Sequence, residues 1–247
     1  MTGGHALVVT GGPLPINQGP LPSADLIIAA DGGADNAADL GLAVDLVVGD
    51  LDSASSSAVA RAGKVERHPE DKDETDLELA LGAAVTAGTG SVTVVGTLGG
   101  RVDHALANLL VVTGDRWANL RIDLRIDGAR AWVVRDHVEI VAQVGDVVSL
   151  LAVGGRATGV TTTGLAWPLT DAEVEPGVGL GLSNHMAAPK AEVVVDDGTL
   201  LVIVNRADLE TAVSSEGFLK RLLEAIGAFW KMGDRSETGR IRGPWTG

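Results

Sequence analysis

Asp50 and Asp52 lie two positions apart, just after the apolar run at residues 45–48. In an extended chain, side chains at positions i and i+2 point to the same side. Two neighbouring carboxylates repel each other unless a cation neutralises them, and Mg²⁺ prefers such oxygen ligands. The pair therefore predicts a magnesium site, although this segment alone also fits an ordinary turn in which Asp52 or Ser53 caps a helix.

Further acids and glycines follow other apolar runs. Asp31, Gly32 and Gly33 come after residues 25–30, and a glycine-rich segment at 96–100 follows residues 91–95. Glycines let backbone N–H groups approach a phosphate, and a helix that begins behind them directs its positive end towards it. Because ligands of parallel sheets bind at the carboxyl ends of the strands, we expect these segments to form one polyphosphate site.

The segments around Thr75 and around His104 could have a structural role as well as a role in the site. Thr75 and Glu78 have the spacing of a capping box, which predicts a helix over 75–87 with Asp76 in its first turn, favourable to the helix dipole. Arg101 supplies a guanidinium suited to phosphate oxygens. His104 lies early in a predicted helix, a position more typical of a satisfied polar residue than of a catalyst.

The order of elements predicts the fold class. Apolar runs alternate with helical patterns up to about residue 136, which is typical of an α/β parallel sheet. Short strand-like runs then continue to 205 and predict an all-β sandwich or barrel. A helical apolar stripe at 218–230 follows. We therefore expect an α/β domain at 1–136, a β domain at 137–205 and a helical extension at 206–247.

Composition narrows the function classes. The chain has 247 residues, a net charge of −14, 3% aromatic residues and no cysteine. An acidic body without a basic stripe argues against nucleic-acid binding. The chain has no apolar run of membrane-spanning length and its first residues do not form a signal peptide, so we expect a cytoplasmic protein that does not bind membranes. Because disulfides and thiolate metal sites are excluded, any metal must be bound by oxygen or imidazole ligands.

At these residues the sequence resembles the thiamine pyrophosphokinase family. The matching segments run in order over about residues 5–205, and they lie at 30–34, 49–53, 71–76, 99–104, 160–169 and 182–184. Six ordered segments are far more specific than any one of them.

The resemblance implies a Mg²⁺-dependent homodimer with active sites at the subunit interface. It implies a catalytic α/β domain, a β-sandwich domain, and transfer of pyrophosphate from ATP to the hydroxyl of thiamine with release of AMP. The catalytic and metal-binding acids would be Asp50, Asp52 and Asp73. The nucleotide site would comprise Asp31, Gly32, Gly33, Thr75, Asp76, Gly99, Gly100, Arg101 and Asp103. The thiamine site would comprise Trp167, Ser183 and Asn184.

Two other functions fit parts of the pattern. Another nucleotide-polyphosphate transferase would need the acids but not Trp167, Ser183 and Asn184. A non-catalytic nucleotide- or thiamine-binding regulator would not need the full acid cluster. Without the resemblance, Trp167 would be assigned to the core of the β region.

Overall fold

The computed structural model describes residues 3–12, 14, 19–96, 102–126 and 128–206. The strands, in chain order, are β1 (His5–Thr10), β2 (Leu26–Ala30), β3 (Leu46–Gly49), β4 (Lys64–Arg67), β5 (Ser91–Val95), β6 (Arg121–Ile126), β7 (Ala129–Val134), β8 (His137–Val141), β9 (Val147–Ala152), β10 (Ala157–Thr163), β11 (Ala172–Val174), β12 (Asn184–His185), β13 (Lys190–Val194) and β14 (Leu200–Asn205). The helices are α1 (Gly33–Asp39), α2 (Ser56–Val59), α3 (Asp76–Thr86) and α4 (Val102–Val111), and a 3₁₀ turn covers Asp115–Trp117. The predicted helical extension at 206–247 lies, except for residue 206, outside the described residues.

The strands form one large sheet and one small sheet. The large sheet has ten strands in the order β12-β9-β14-β7-β6-β5-β1-β2-β3-β4, and the small sheet has four in the order β11-β10-β13-β8. Strands β1 to β6 pair in parallel, whereas β7, β14, β9 and β12 continue the same sheet with antiparallel pairing. The mixed fold class predicted from the sequence is confirmed.

Helices cover both faces of the parallel part of the sheet. On one face, α3 packs Leu81 and Ala84 into a core that includes Val8 and Val94. On the other face, α1 packs Ala37 against Leu7, Val9 and Val95. Because both faces are occupied by apolar packing, the ends of the strands are where polar groups of this region can meet a ligand.

A second core lies between the antiparallel part of the large sheet and the small sheet. Its largest buried side chains include Ile140, Leu150, Met186 and Leu200. Two sheets that enclose one apolar layer form a β-sandwich. Strands β7 and β14 contribute to this layer and also extend the sheet of the α/β region, so one sheet serves both parts of the molecule.

The hairpin of β6 and β7 and the edge strand β4 were not predicted from the sequence. The hairpin lies in the segment assigned to the α/β domain, where β6 pairs in parallel with β5 and β7 reverses the direction. The predicted domain boundary at 136–137 stays a prediction, and the large sheet continues on both sides of it. Among the described residues, no helix is long and apolar enough to cross a bilayer.

Candidate active site

A cleft of about 980 Å³ opens where β1, β2, β3 and β5 end. Its described lining comprises Thr10, Gly11, Gly12, Ala30, Asp31, Gly32, Asp35, Asp50, Asp52, Ser53, Thr75, Asp76, Leu77, Gly96, Asp103, His104, Ala107 and Asn108. The first turns of α3 and α4 face this cleft with their N-terminal ends. A second cleft, of about 710 Å³, has Asp39 and Arg61 as the charged residues of its described lining and brings no group of acids together.

Two glycines allow the loops to come this close. A Cβ at Gly33 would lie 2.0 Å from the carbonyl oxygen of Val9, so only glycine lets α1 begin directly against β1. Gly49 has φ +143°, and a Cβ there would lie 3.0 Å from Oδ1 of Asp76 and 3.1 Å from the Cβ of Asp31. The end of β3 therefore has no side chain where the acids converge.

Asp31, Asp50 and Asp76 form a compact acid cluster. One carboxylate oxygen from each lies within 4.8 Å of the other two. Oδ1 of Asp31 is buried and has no hydrogen-bond partner among the described residues. Three converging oxygen ligands, one of them buried and unpaired, fit a hard divalent cation such as Mg²⁺.

The surroundings shift the pKa values of two of these acids in opposite directions. Burial, with added repulsion from Asp50 and Asp31, raises the pKa of Asp76, although Lys72 opposes this. A hydrogen bond from the backbone N–H of Asp52 to Oδ1 of Asp50, together with Lys72, lowers the pKa of Asp50. Raised and lowered values side by side in one cleft are typical of functional sites.

Lys72 provides the positive charge nearest to the cluster among the described residues. Its Nζ atom lies 3.3 Å from Oδ2 of Asp50 and 3.2 Å from Oδ1 of Asp76, and its side chain is 11% exposed. Burial alone would lower the pKa of Lys72, but the two carboxylates, chiefly Asp76, raise it. The ammonium group is therefore held in its charged form between the two acids.

Hydrogen bonds fix the loops that carry the cluster. The backbone N–H of Asp31 donates to the carbonyl of Val48 at 2.9 Å, and Asp31 itself has φ +46°. The carbonyl of Asp50 accepts from Nη1 of Arg67 at 2.8 Å. Thr75 and Glu78 form the predicted capping box at the start of α3, which holds Asp76 at the first position of the helix. The capping prediction is confirmed.

The structure brings most of the residues predicted for the nucleotide and metal site to the cleft. Asp31, Gly32, Asp50, Asp52, Thr75, Asp76 and Asp103 all line it. Gly33 lies buried beneath it as the first residue of α1, and Asp73 is exposed and is not part of the described lining. Gly99, Gly100 and Arg101 lie outside the described residues.

The acid cluster differs in membership from the set predicted to bind metal. Asp50 belongs to both sets; Asp31 and Asp76 complete the observed cluster, whereas the sequence prediction named Asp52 and Asp73. The Asp52 carboxylate instead accepts a hydrogen bond from Oγ of Ser53 at 2.8 Å. The predicted roles of Asp52 and Asp73 stay predictions.

Several residues of the cleft were not singled out as site residues from the sequence. Thr10, Gly11 and Gly12 lie at the end of β1, just as the other acid and glycine segments lie at the ends of their strands. Their position after an apolar run could therefore have been recognised in the sequence. Asp35, His104 and Asn108 lie on α1 and α4, and only the docking of these helices reveals that they face the cleft.

The three residues predicted for the thiamine site lie together in the β-sandwich. The backbone N–H of Trp167 donates to Oδ1 of Asn184 at 3.0 Å, and Nδ2 of Asn184 donates back to the carbonyl of Trp167 at 2.6 Å. Ser183 precedes Asn184 with φ +54°. Trp167 is 60% exposed, so its ring is not part of the core, and it meets the ring of His185 at a centroid distance of 5.4 Å.

Two family profiles match the chain in sequence order. The profile described as thiamin pyrophosphokinase, catalytic domain, matches residues 20–124, and the profile described as thiamin pyrophosphokinase, vitamin B1 binding domain, matches 137–200. Together they cover more than half of the chain. The chain belongs to the thiamin pyrophosphokinase family. This is a family of enzymes, as the sequence resemblance predicted.

Relatives and solved structures agree with this family. A thiamine pyrophosphokinase of Bacillus subtilis is 26% identical over 213 residues, which are 79% of this chain and 96% of the relative. Thiamine pyrophosphokinase 1 of Oryza sativa is 26% identical over 175 residues, 64% of this chain and 65% of its own. The crystal structure of the B. subtilis thiamine pyrophosphokinase shares the fold, with a TM-score of 0.71 at 24% identity, covering 82% of this chain and 99% of that one.

Proposed function

We propose that the protein transfers the pyrophosphoryl group of ATP to the hydroxyl of thiamine, giving thiamine pyrophosphate and AMP, and that it requires Mg²⁺. The observation that carries this proposal is the cluster of Asp31, Asp50 and Asp76 inside a cleft at the strand ends, in a chain of this family. Phosphoryl-type transfer depends mainly on positioning and on charge neutralisation, and a cleft of this kind suits both tasks.

The acid cluster supports the metal requirement. Asp31, Asp50 and Asp76 would hold the ion, and Asp52 lies at the same cleft without belonging to the cluster. A bound Mg²⁺ would neutralise the polyphosphate charge and the charge that develops on the leaving AMP. Without such a cation, a chain of net charge −14 would repel the polyphosphate.

The nucleotide is proposed to lie along the strand ends. The first turn of α4 contributes Asp103 and His104 to the cleft, and the N-terminal end of this helix favours an anion. Gly99, Gly100 and Arg101 precede α4 directly and are proposed to contact the phosphates. Gly11 and Gly12 also line the cleft and carry no side chain that would fill it.

Thiamine is proposed to bind at Trp167. Trp167 is largely exposed, and two hydrogen bonds with the side chain of Asn184, a residue that is 4% exposed, fix its backbone. A flat aromatic face suits the cationic thiazolium and the pyrimidine of thiamine through cation–π and stacking interactions. The net charge of −14 also favours a cationic substrate.

The reaction needs a group that accepts the hydroxyl proton. The thiamine hydroxyl oxygen forms a bond to the β-phosphorus while the bond between this phosphorus and the α,β-bridging oxygen breaks, and AMP leaves with that oxygen. Asp52 and Asp73 are the proposed acceptors of the proton. Asp50 fits this role less well because it belongs to the cluster that would hold the metal ion.

We further propose a homodimer in which one subunit's cleft is completed by thiamine-binding residues of the other. Among the described lining residues of the cleft, none comes from the sandwich residues around Trp167. A site shared across a two-fold interface explains how residues from both parts of the chain act on one substrate pair.

The decisive experiment incubates the protein with ATP, Mg²⁺ and thiamine and measures AMP and thiamine pyrophosphate by chromatography. We expect stoichiometric formation of both, and no product when Mg²⁺ is removed by EDTA. AMP formed equally well without thiamine would point to another acceptor, as in another nucleotide-polyphosphate transferase. No AMP in any mixture would leave a binding protein as the function.

The acceptor is tested separately with Trp167→Ala and the matched Trp167→Phe. We expect Trp167→Ala to raise the KM for thiamine about tenfold or more while the KM for ATP changes little, because only the ring–thiamine contact is lost. Trp167→Phe keeps an aromatic face and is expected to lie between the two. An unchanged KM for thiamine in Trp167→Ala would remove this residue from the site.

A further inference from the structure

Lys72 stands out because it places a charge of the chain's own in the acid cluster. Its ammonium is within 3.3 Å of Asp50 and 3.2 Å of Asp76, whereas its sequence neighbours Asp71 and Asp73 are exposed. A surface lysine normally keeps its ammonium in water. Here the side chain is 11% exposed, so the loop turns Lys72 inwards between two acids of the cluster.

The charge balance shows why this position matters. Three carboxylates converge, and the single positive charge of Lys72 reaches two of them, while Oδ1 of Asp31 has no hydrogen-bond partner among the described residues. A divalent cation carries twice that charge and can be coordinated by oxygens from all three carboxylates. The ammonium of Lys72 and a divalent cation also compete for the carboxylates of Asp50 and Asp76. Binding of one therefore lowers the affinity of these carboxylates for the other.

We propose that Lys72 is a positioning residue that keeps Asp50 and Asp76 together as an exchangeable counter-cation, and that a divalent cation displaces its ammonium from the cluster. This inference rests on the proposed metal-dependent function. It predicts that metal affinity is set in part by competition with the chain's own cation, and that Lys72 becomes accessible when the metal binds.

The displacement is tested on the wild-type protein by acetylation of lysine amines, with and without Mg²⁺, followed by peptide mass spectrometry. We expect Lys72 to react slowly in EDTA and several-fold faster in Mg²⁺. Lys64 is 70% exposed and pairs with Glu66, away from the cluster, so its rate serves as the internal control and stays constant. A Lys72 rate that is unchanged or lowered by Mg²⁺ would overturn displacement.

The competition is tested by titrating Mn²⁺ into wild type, Lys72→Gln and Lys72→Arg without nucleotide, with free Mn²⁺ measured by electron paramagnetic resonance. We expect Lys72→Gln to bind Mn²⁺ roughly tenfold more tightly, as removal of two partly screened ion pairs would give. Lys72→Arg keeps the charge and should stay close to wild type. Lys64→Gln is the matched control and should change nothing. Equal or weaker Mn²⁺ binding by Lys72→Gln would contradict the proposal.

The two proposals fail in different ways. If wild type and Lys72→Gln both fail to bind Mn²⁺, the metal dependence of the proposed function fails, and the role of Lys72 fails with it. If Mn²⁺ binds and turnover requires it, but Lys72 stays protected, only the counter-cation role is wrong. Thermal melts in EDTA show that each variant is folded, and the acetylation experiment needs no variant at all.

Discussion

At the scale of single residues, Asp76 carries a conflict between folding and function. Burial raises its pKa, so the folded protein disfavours the charged form that a metal ligand needs. Lys72 and the N-terminal end of α3 offset this disadvantage in part. A carboxylate whose ionised form is disfavoured by burial does not stabilise the fold, and such a group in a cleft is typical of a functional site.

Metal affinity separates the acid cluster from the set predicted by sequence. We expect Asp76→Asn to weaken Mn²⁺ binding at least about tenfold, because the cluster loses a charged ligand. Asp73→Asn should leave Mn²⁺ binding within about twofold, since its exposed carboxylate is not part of the cluster. Both are measured by Mn²⁺ titration. A larger loss of Mn²⁺ affinity in Asp73→Asn than in Asp76→Asn would instead support a metal site formed by Asp50, Asp52 and Asp73.

The raised pKa of Asp76 also predicts how metal binding depends on pH. Asp76 must be ionised to bind metal, so protons compete at pH values above the ordinary aspartate value of 3.8. The lowered pKa of Asp50 keeps that ligand ionised over the same range. We expect Mn²⁺ affinity in wild type to fall as the pH drops through the weakly acidic range.

The same shift has the opposite effect on stability without metal. A raised pKa in the folded state means that the native protein binds this proton more tightly than the unfolded chain does. Lowering the pH through the pKa of Asp76 in the folded protein protonates its buried carboxylate. This removes the cost of burying the charge, so the contribution of Asp76 to the free energy of unfolding becomes more favourable. Asp76→Asn should abolish this contribution in melts recorded in EDTA, and an unchanged pH profile in that variant would show that another group is responsible.

The site could be predicted in part because its residues follow strands. Asp31 and Asp50 come directly after apolar runs, and the location of their carboxylates at one edge follows from parallel pairing. Asp76 was assigned to the nucleotide site and to the helix dipole, because the sequence does not reveal that α3 points it at Asp50. Lys72 gave no signal, since its inward direction depends on how the loop before α3 turns.

At the scale of elements, the end of β3 and the loop after it determine how closely the acids can approach. Gly49 has a backbone conformation that other residues rarely adopt, and its missing side chain leaves space between Asp31 and Asp76. The same loop places Asp50 at the cleft, and Arg67 of β4 fixes its carbonyl. The end of β3 therefore positions Asp50 at the cleft and leaves the space between Asp31 and Asp76 free of a side chain.

Gly49→Ala tests this dependence. We expect a loss of about 1–3 kcal/mol in the free energy of unfolding, from backbone strain and from the contacts of the new Cβ at 3.0 Å and 3.1 Å, with weaker Mn²⁺ binding. Gly82→Ala in α3 is the matched control, because a Cβ there meets nothing within 4 Å. It should stabilise the protein by about 0.5–1 kcal/mol in chemical denaturation. Similar losses in both variants would contradict the account.

Most of the buried strands were predicted from the sequence, whereas β4 and the hairpin of β6 and β7 were not. Residues 5–10, 91–95 and 147–152 were predicted with the bounds that the structure shows, because at most one polar residue, Thr93 or Ser149, interrupts their apolar residues. Strand β6 alternates apolar residues with Arg121, Asp123 and Arg125, and β4 has a single apolar residue. Their pairing depends on neighbouring strands that lie far away in the sequence.

At the scale of the whole molecule, subunit mixing tests whether the site is shared. Asp76→Asn and Trp167→Ala protein would be mixed, dissociated and reassociated, and assayed at limiting thiamine. In half of the dimers, formed by one variant of each kind, one site would contain both wild-type residues. We therefore expect recovery of roughly a quarter of wild-type turnover. Turnover no higher than the average of the separate variants would place the two residues in one subunit's site.

The shared ten-stranded sheet has a consequence for anyone who wishes to divide this protein. Strand β7 is bonded to β6 on one side and to β14 on the other, so a cut near residue 136 would separate β7 from β14. Each fragment would then display a long row of unpaired amides, of the kind that recruits other chains into aggregates. Expression of either half alone should yield insoluble material, and co-expression of both halves should restore soluble protein.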